Sequence, residues 1–450
     1  MEKILIKLAA LLVITVFLTS CGDEDPVVEP AASQNIVEVA QANGFNALAS
    51  ALTRAGLVDD LQADGTFTVF APTDEAFDAL LAAVGQTSVD DVPVPVLEQI
   101  LLYHVLGNTV LSTQISDGDV ATLESSNVTL NTANGVSVNG ANVTTPDVQA
   151  SNGVIHIIDA VLVPSDVAQF VNTVLEPAYF NKNFTTLIEA AVKADLVSTL
   201  LSTDDITIFA PTNAAFEASG IDPSAVDAAT LANVLKYHVV PDKVMSSGIP
   251  RNAGALSENQ LYFSLIDAGN FINGGTEITA VDIESGSGIV HVIDAVLLPY
   301  SGNVVETAID LTADGEFTSL VAALQRTADE GTADQNLLTV LSGDGPFTVF
   351  APTNAAFQAL LDSSAEWTTL NDIPLATLVD VLLYHVVPAR AFDKDLAGAI
   401  DTSNQLETAL TQSITFDLTN LTINSNVNIT GVNTTASNGV IHVIDAVLLP

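Results

Sequence analysis

Four patterned stretches occur in the same order three times along the chain. The first places apolar residues at positions i, i+3, i+4 and i+7, beginning at Phe45, Phe184 and Phe317. This spacing puts the apolar residues on one face of a helix, so each copy predicts an amphipathic helix. The pattern returns about every 140 residues, which is the length of a domain and not of a solenoid repeat.

The second stretch predicts a strand followed by a helix. It reads TVFAPTDEAF from Thr68, TIFAPTNAAF from Thr207 and TVFAPTNAAF from Thr348. The β-branched and aromatic residues before the proline are typical of a short strand. The threonine after the proline can cap a helix, and Asp74 and Glu75 favour the positive end of the helix dipole in the first copy.

The third stretch is an apolar helix that ends in a Tyr-His pair. In the first copy, Leu97, Ile100 and Leu101 precede His104 at helical spacing. The histidine therefore lies on the apolar stripe of the helix, where burial is expected. The three pairs are Tyr103-His104, Tyr237-His238 and Tyr384-His385.

The fourth stretch is a strand that follows a glycine-containing turn and continues to a proline. It begins at Ser151, Ser285 and Ser437, and the first copy reads SNGVIHIIDAVLVP. Upstream segments such as VTLNTANGVSVNG alternate apolar and polar residues, as half-exposed antiparallel strands do.

Together, the helix, the FAPT corner, the Tyr-His pair and the closing strand resemble the fasciclin domain. The tandem copies cover residues 33–165, 166–300 and 301–450, which are called modules 1, 2 and 3 below. The resemblance implies an α+β fold, in which each module is a β-sandwich wedge packed with several α-helices. It also implies an extracellular or surface-attached protein that acts in cell adhesion or matrix contact.

The start of the chain has the pattern of a lipoprotein signal. Lys3 and Lys7 precede an apolar run that is too short to span a bilayer comfortably, and small residues precede Cys21, the only cysteine. Residues 1–20 therefore predict a signal peptide, Cys21 the lipidation site, and residues 21–32 an acidic, proline-containing tether. We expect a surface-exposed outer-membrane lipoprotein. The alternative is an ordinary signal peptide followed by a chance cysteine.

The net charge of the chain narrows the range of expected partners. The chain has 54 acidic and 11 basic residues, for a formal net charge of −43, which disfavours nucleic acid and peripheral contact with anionic lipid. Because 48% of the residues are apolar, the chain is expected to fold. We expect weak, calcium-assisted self-association through bridged carboxylates. We also expect low salt to extend the joints near Pro164–Asp166 and Pro299–Gly302.

Each module carries two histidines: His104, His156, His238, His291, His385 and His442. We interpret all six as structural residues, with a metal or catalytic role as the alternative. His156 and Asp159 lie three residues apart on a predicted strand, so their side chains point to opposite faces unless a bulge intervenes. The sequence contains no recognisable catalytic, phosphate-binding or dinucleotide motif, so we predict no catalytic residue, cofactor or metal.

The sequence therefore favours a protein that acts by binding. Its expected partner is a surface or matrix protein or a polysaccharide. The resemblance implies partner contact through Tyr103, Tyr237 and Tyr384, which lie beside the apolar stripe and could reach the surface; a structural role is the alternative. The competing functions are a surface or secreted hydrolase that acts on a polymer, and a structural spacer that presents a partner on the envelope.

Overall fold

A computed structural model describes residues 34–266, 269–399, 404–417 and 419–450. The predicted signal peptide, the tether and Cys21 lie outside these residues, so their assignments stay predictions. Within the described ranges, no helix combines the length and the apolar character that crossing a membrane requires.

The three modules share the order of their main helices and strands and differ in a few short helices. The helices of module 1 are α1 (Ile36–Ala42), α2 (Asn46–Ala55), α3 (Val58–Gln62), α4 (Asp74–Ala83) and α5 (Val94–Tyr103). Its strands are β1 (Phe67–Pro72), β2 (Val105–Leu106), β3 (Gly118–Ala121), β4 (Asn127–Asn131), β5 (Ser137–Val138), β6 (Ala141–Ala150) and β7 (Gly153–Ile158).

Module 2 directly follows module 1 along the chain, with a helix at the boundary. The helices from the first junction onward are α6 (Ser165–Ala168), α7 (Glu176–Tyr179), α8 (Thr185–Lys193), α9 (Val197–Ser202), α10 (Asn213–Ser219) and α11 (Ala228–Tyr237). The strands are β8 (Thr207–Pro211), β9 (Val239–Val240), β10 (Asn252–Gly254), β11 (Gln260–Ile266), β12 (Gly269–Ile272), β13 (Thr276–Ser285) and β14 (Gly288–Ile293).

Module 3 repeats the pattern with one added helix. Its helices are α12 (Val304–Asp310), α13 (Thr318–Glu330), α14 (Leu337–Ser342), α15 (Asn354–Asp362), α16 (Leu375–Tyr384) and the added α17 (Asp393–Ala399). Its strands are β15 (Phe347–Pro352), β16 (Val386–Val387), β17 (Gln405–Glu407), β18 (Ser413–Asp417), β19 (Thr422–Ile423), β20 (Val427–Ala436) and β21 (Gly439–Ile444).

The described residues of each module form a seven-stranded sheet that bends into a wedge. In module 1 the strand order is β2-β1-β7-β6-β5-β4-β3, and β1 runs parallel to β7. The pairing of β6 with β7 shifts register around Thr145, and Asp147 has a φ of 61°. These bulges bend β6, so the strands on its two sides face each other. The predicted α+β fold is confirmed.

The central strand β1 separates two hydrophobic cores. Phe70 belongs to the core between the two halves of the bent sheet, whereas Val69 and Ala71 belong to the core beneath the helices. This alternation follows from the two-residue period of a strand. The same strand then turns into α4, where the Thr73 hydroxyl accepts a hydrogen bond of 3.2 Å from the Ala76 amide. The predicted strand-to-helix corner is therefore confirmed.

The closing strand is shorter than the sequence predicts. It ends at Ile158, well before Pro164, because the carboxylate of Asp159 turns back and accepts hydrogen bonds of 2.7 Å from the backbone and side-chain nitrogens of Asn142. The segment from there to the proline packs into the core between the two halves of the bent sheet, where Leu162 is buried. The expectation of a strand that continues to the proline is wrong.

Modules 1 and 2 are joined by a continuous hydrophobic core. One buried cluster contains residues from both modules, and Val167 of α6 is fully buried in it. The backbone amide of Lys182 donates to the Asp91 carbonyl at 2.7 Å, and its ammonium lies 3.4 Å from the Asp91 carboxylate. A joint packed in this way should resist extension when salt is lowered. The packing therefore argues against the expected extension near Pro164–Asp166, which remains to be tested by scattering.

Modules 2 and 3 meet through aromatic and cationic side chains. The guanidinium of Arg390 stacks 3.9 Å above the ring of Tyr262, and Phe392 packs 6.2 Å from the same ring. Lys394, on α17, lies 5.5 Å from the ring of Phe271. The segment that connects the two modules packs against module 2, where Tyr300 makes an edge contact with Tyr237. The second joint is therefore braced as well, by contacts different from those of the first.

Candidate functional site

The first histidine of each module caps the end of its helix. In module 1, α5 ends at Tyr103, and the next residue, His104, has 1% exposure. Its Nδ1 lies 2.7 Å from the Ile100 carbonyl, and its Nε2 accepts a hydrogen bond of 2.9 Å from the Leu162 amide. Nδ1 therefore carries the proton, and both ring nitrogens are used within the module. His238 and His385 repeat this arrangement.

Burial keeps these histidines neutral. Desolvation lowers the pKa of His104, His238 and His385 to about 4, although the bond to a helix carbonyl opposes the shift. A protonated ring would bring an N–H toward the amide that it now accepts from. The ring therefore links the helix end to the segment after the closing strand, and no ring nitrogen remains for a metal or a substrate.

The second histidine of each module connects the bulged strand (β6, β13 or β20) to a loop. His156 has 0% exposure; its Nε2 lies 2.9 Å from the Val110 carbonyl, and its Nδ1 accepts 3.2 Å from the Asp147 amide. His291 does the same with Val244 and Asp282. In module 3, His442 uses Ala391 and Asn433, and burial lowers its pKa. These rings therefore hold the bulge of β6, β13 or β20 against the loop that contains Val110, Val244 or Ala391.

Ser112, Asp147 and His156 bring together the residue types of a nucleophilic triad, but not its geometry. The Ser112 hydroxyl donates to the Asp147 carboxylate, and the His156 Nδ1 lies 4.0 Å from that carboxylate. Both ring nitrogens already have backbone partners, so His156 cannot take a proton from the serine. In module 2, hydrogen bonds from Ser246 lower the pKa of Asp282, which fits a carboxylate that anchors a loop.

The tyrosines predicted to contact a partner are buried. Tyr103, Tyr237 and Tyr384 have exposures of 5%, 0% and 5%. The prediction that they reach the surface is wrong, because the strands of the wedge cover the flank of the helix on which they lie. Each hydroxyl donates to a strand carbonyl and accepts from an asparagine amide; the carbonyls belong to Asn127, Gln260 and Ser413, and the amides to Asn139, Asn273 and Asn424.

Sequence reasoning missed the partners that hold these groups. Asn139 has a φ of 47°, and only this left-handed turn aims its amide at Tyr103. The Asn139-Gly140 pair indicates a turn in the sequence, but the sequence does not show that the Asn139 amide contacts Tyr103. Thr68, also missed, is fully buried, accepts from the Val110 amide and donates to the Asn108 carbonyl. Its recurrence as the first residue of the repeated phrase was the available signal.

The described residues, both within the histidine sites and outside them, contain no group of three or more histidine, cysteine, aspartate or glutamate side chains that could hold a metal ion. Cys21 lies outside those residues.

Comparisons with known proteins agree with this architecture. The family described as the fasciclin domain matches residues 43–164, 182–299 and 315–450. Transforming growth factor-beta-induced protein ig-h3 of Oryctolagus cuniculus is 30% identical over 423 residues, covering 93% of this chain and 57% of its own. Periostin of Homo sapiens is 28% identical, covering 89% of this chain and 45% of its own. The chain thus spans about half the length of these two relatives.

A solved structure of a FAS1 domain pair, from the insect cell adhesion molecule Fasciclin I, is also similar. It is 19% identical and covers 62% of this chain and 98% of its own, with a TM-score of 0.29.

Proposed function

Because this chain belongs to the fasciclin-domain family, we propose that it acts at the cell surface by binding a surface or matrix protein or polysaccharide, and not by catalysis. The observation that carries the proposal is the use of the six histidines. Each one is buried, and its ring nitrogens bond to backbone groups of its own module. The groups best suited to acid–base chemistry thus stabilise the fold, which leaves the module surfaces for contact.

The proposal includes a lipid anchor at Cys21. Its support is the sequence alone: an apolar run preceded by lysines, small residues before a single cysteine, and an acidic tether after it. Two acyl chains on a diacylglycerol supply the apolar area that stable membrane attachment requires. An outward-facing position would then place the three modules where a matrix partner can reach them.

The anchor is tested by Cys21→Ser in the full chain. The wild type should incorporate labelled fatty acid and partition into the detergent phase, and the variant should do neither. Matched expression of Ser20→Ala, next to the cleavage site, controls for general effects on export. If Cys21→Ser still partitions into detergent, the lipid assignment is wrong.

Binding is tested with the chain from residue 22 onward, immobilised through an added C-terminal tag. It should retain components of a cell-envelope or matrix extract that the same resin without protein does not retain. Retention should survive Ser112→Ala, which removes the hydroxyl of the triad-like group. Turnover of a polymer substrate that Ser112→Ala abolishes would instead establish the hydrolase alternative.

A further inference from the structure

A cleft separates the facing surfaces of modules 2 and 3. Strand β11 and the start of β10 line one side, and α17 with the loop before β15 lines the other. Its volume is about 990 Å³. Clefts of roughly 300–1,000 Å³ at domain boundaries are the usual location of small-molecule or chain-segment binding sites.

Module 3 departs from the other two modules where it lines the cleft. Where modules 1 and 2 have only a short 3₁₀ turn, Ser112–Gln114 and Ser246–Gly248, module 3 has the helix α17. Just before this helix, Phe392 is buried to 1% exposure against module 2. A Cβ at Gly274 of module 2 would lie 2.5 Å from the Phe392 Cβ, so the two modules touch closely at the back of the cleft.

The charges that line the cleft cancel. Arg251 and Arg390 carry the positive charges, and Asp344 and Asp395 carry the negative ones. This balance differs from that of the chain, which has a net charge of −43 and 11 basic residues. The cleft therefore offers no strong field for a cation or an anion, and the surrounding acidic surface repels an anionic chain.

The two arginines of the lining differ in role: Arg390 is bonded within the protein, and Arg251 can contact a ligand. Arg390 donates to the carbonyls of Ala436, Ser437 and Gly439 while it stacks on Tyr262, so it fixes the wall. Arg251 is an exposed residue of the lining, and its side chain makes no hydrogen bond among the described residues, although its charge attracts the carboxylate of Asp395. Its guanidinium can donate to a ligand without giving up a bond inside the protein.

The remaining lining combines amides with an apolar strip. Asn252 is exposed and presents both a donor and an acceptor, and Asp395 across the cleft presents acceptors. Leu265 and Ile266 on β11 are half-buried and form the apolar part of the wall. This lining matches a ligand with hydroxyl groups, which donate and accept at once, and an apolar C–H face.

We propose that this cleft binds a segment of a neutral, hydroxyl-rich polymer, that is, a neutral polysaccharide. A sugar ring has hydroxyls around its rim and C–H groups on its faces, which match the amides and the apolar strip. A globular protein partner would need about 800 Å² of surface on each side and does not enter a cleft of this size. The inference rests on the proposed binding function and specifies its ligand and its site.

Isothermal titration calorimetry on the chain from residue 22 tests the proposal. The neutral probes are cellohexaose, laminarihexaose, maltohexaose and xylohexaose, and the anionic probe is a hexamer of galacturonic acid. At least one neutral probe should bind, and Arg251→Ala and Asn252→Ala should each weaken that binding at least fivefold. Lys243→Ala is the matched control, because it removes one positive charge from module 2 outside the cleft lining and should leave binding unchanged.

A second variant tests whether both modules are needed. Gly274→Val places a side chain against Phe392 and Asn433 of module 3, and the left-handed φ of 77° at this position adds strain to the turn; both effects should weaken the contact between the modules. We expect it to weaken binding at least tenfold while the far-ultraviolet circular dichroism of the chain stays unchanged.

Three results would overturn the inference: no binding of any neutral probe, binding that Arg251→Ala and Asn252→Ala leave intact, or preference for the galacturonic acid hexamer. In each case, retention of envelope or matrix components by the immobilised chain would still support the proposed function. Loss of that retention as well would reject both.

Discussion

At the scale of single residues, the repeated polar side chains are cross-links between helices and strands. The Tyr237 hydroxyl has 2.9 Å and 3.0 Å bonds to the Gln260 carbonyl and the Asn273 amide. Burial raises the pKa of this tyrosine well above its usual value, so the hydroxyl keeps its proton and can donate. Such groups stabilise a fold because a buried polar atom without a partner costs more free energy than the bond gains.

Tyr237→Phe should therefore destabilise module 2. The substitution leaves the Gln260 carbonyl and the Asn273 amide without this partner beside a buried ring, so we expect the free energy of unfolding to fall by about 1–2 kcal/mol. Urea unfolding monitored by circular dichroism measures the change. Tyr179→Phe, in the same module, removes a hydroxyl with no hydrogen bond among the described residues and should change stability by less than about 0.5 kcal/mol. Equal effects would contradict the cross-link.

The helix-capping histidines make stability depend on pH. The pKa of His385 is about 4 in the folded protein and 6.5 ordinarily, so the unfolded chain binds the proton more readily between these values. Stability is thus complete above about pH 6.5 and falls as pH drops toward 4, by roughly 3 kcal/mol for this residue. Urea unfolding of module 3 at about pH 7 and about pH 5 measures the slope.

His385→Gln provides the control for this slope. Glutamine cannot titrate, so the variant should be less stable at neutral pH but should lose less stability on acidification than the wild type does. The carboxylates with lowered pKa values, such as Asp282, lose their contribution only at lower pH. An unchanged slope in the variant would assign the acid sensitivity to other groups.

At the scale of elements, glycine determines how closely the central parallel strands approach. Gly288 opens β14, and a Cβ there would lie 2.4 Å from Cγ2 of Val174 and 2.9 Å from the Ile206 carbonyl. Gly439 of module 3 has the same constraint, because its Cβ would lie 2.5 Å from the Phe347 carbonyl. The glycine that the sequence marked as part of a turn is thus needed for strand packing.

Gly288→Ala should destabilise module 2 by about 1–3 kcal/mol, because either the strand or its neighbour must shift. Gly248→Ala is the matched control in the same module, since no atom lies within 4 Å of the Cβ that it adds. Thermal unfolding of the two variants side by side measures the difference. A Gly288→Ala protein as stable as the control would show that the strands can separate without cost.

The sequence predicts elements better than it predicts their partners. The apolar spacing identified the helix that ends at His104, and the FAPT phrase identified the corner capped by Thr73. It could not show that Tyr103 faces the wedge, because helical spacing specifies a face but not which element covers it. Nor could it place Asp147 beside His156, because that contact depends on a bulge in β6.

At the scale of the whole molecule, the two junctions differ in kind. The first is a hydrophobic core shared by modules 1 and 2, and the second is the stacked contact of Arg390 on Tyr262. Neither depends on long-range attraction or repulsion between charges. Salt should therefore alter interactions between molecules more than the arrangement of modules within one molecule.

Small-angle X-ray scattering tests this rigidity on the chain from residue 22. The radius of gyration, extrapolated to zero concentration, should stay constant within about 1 Å between about 10 mM and 150 mM salt, because the packed junctions resist repulsion that salt screens. Gly274→Val, which should weaken the contact between modules 2 and 3, should introduce a dependence on salt. A wild-type chain that contracts as salt is added would show that the junctions open at low salt.

Added salt should strengthen self-association of this acidic chain, whereas it would weaken association that depends on a basic patch. With 54 acidic and 11 basic residues, copies of the chain repel each other over the Debye length, which is about 30 Å at 0.01 M salt and about 8 Å at 0.15 M. Sodium chloride should therefore strengthen association, and calcium should do so more steeply by bridging carboxylates on neighbouring copies. Sedimentation velocity at matched ionic strength separates the two effects. Association that is strongest at low salt, or that calcium fails to enhance beyond sodium, would reject carboxylate bridging between copies.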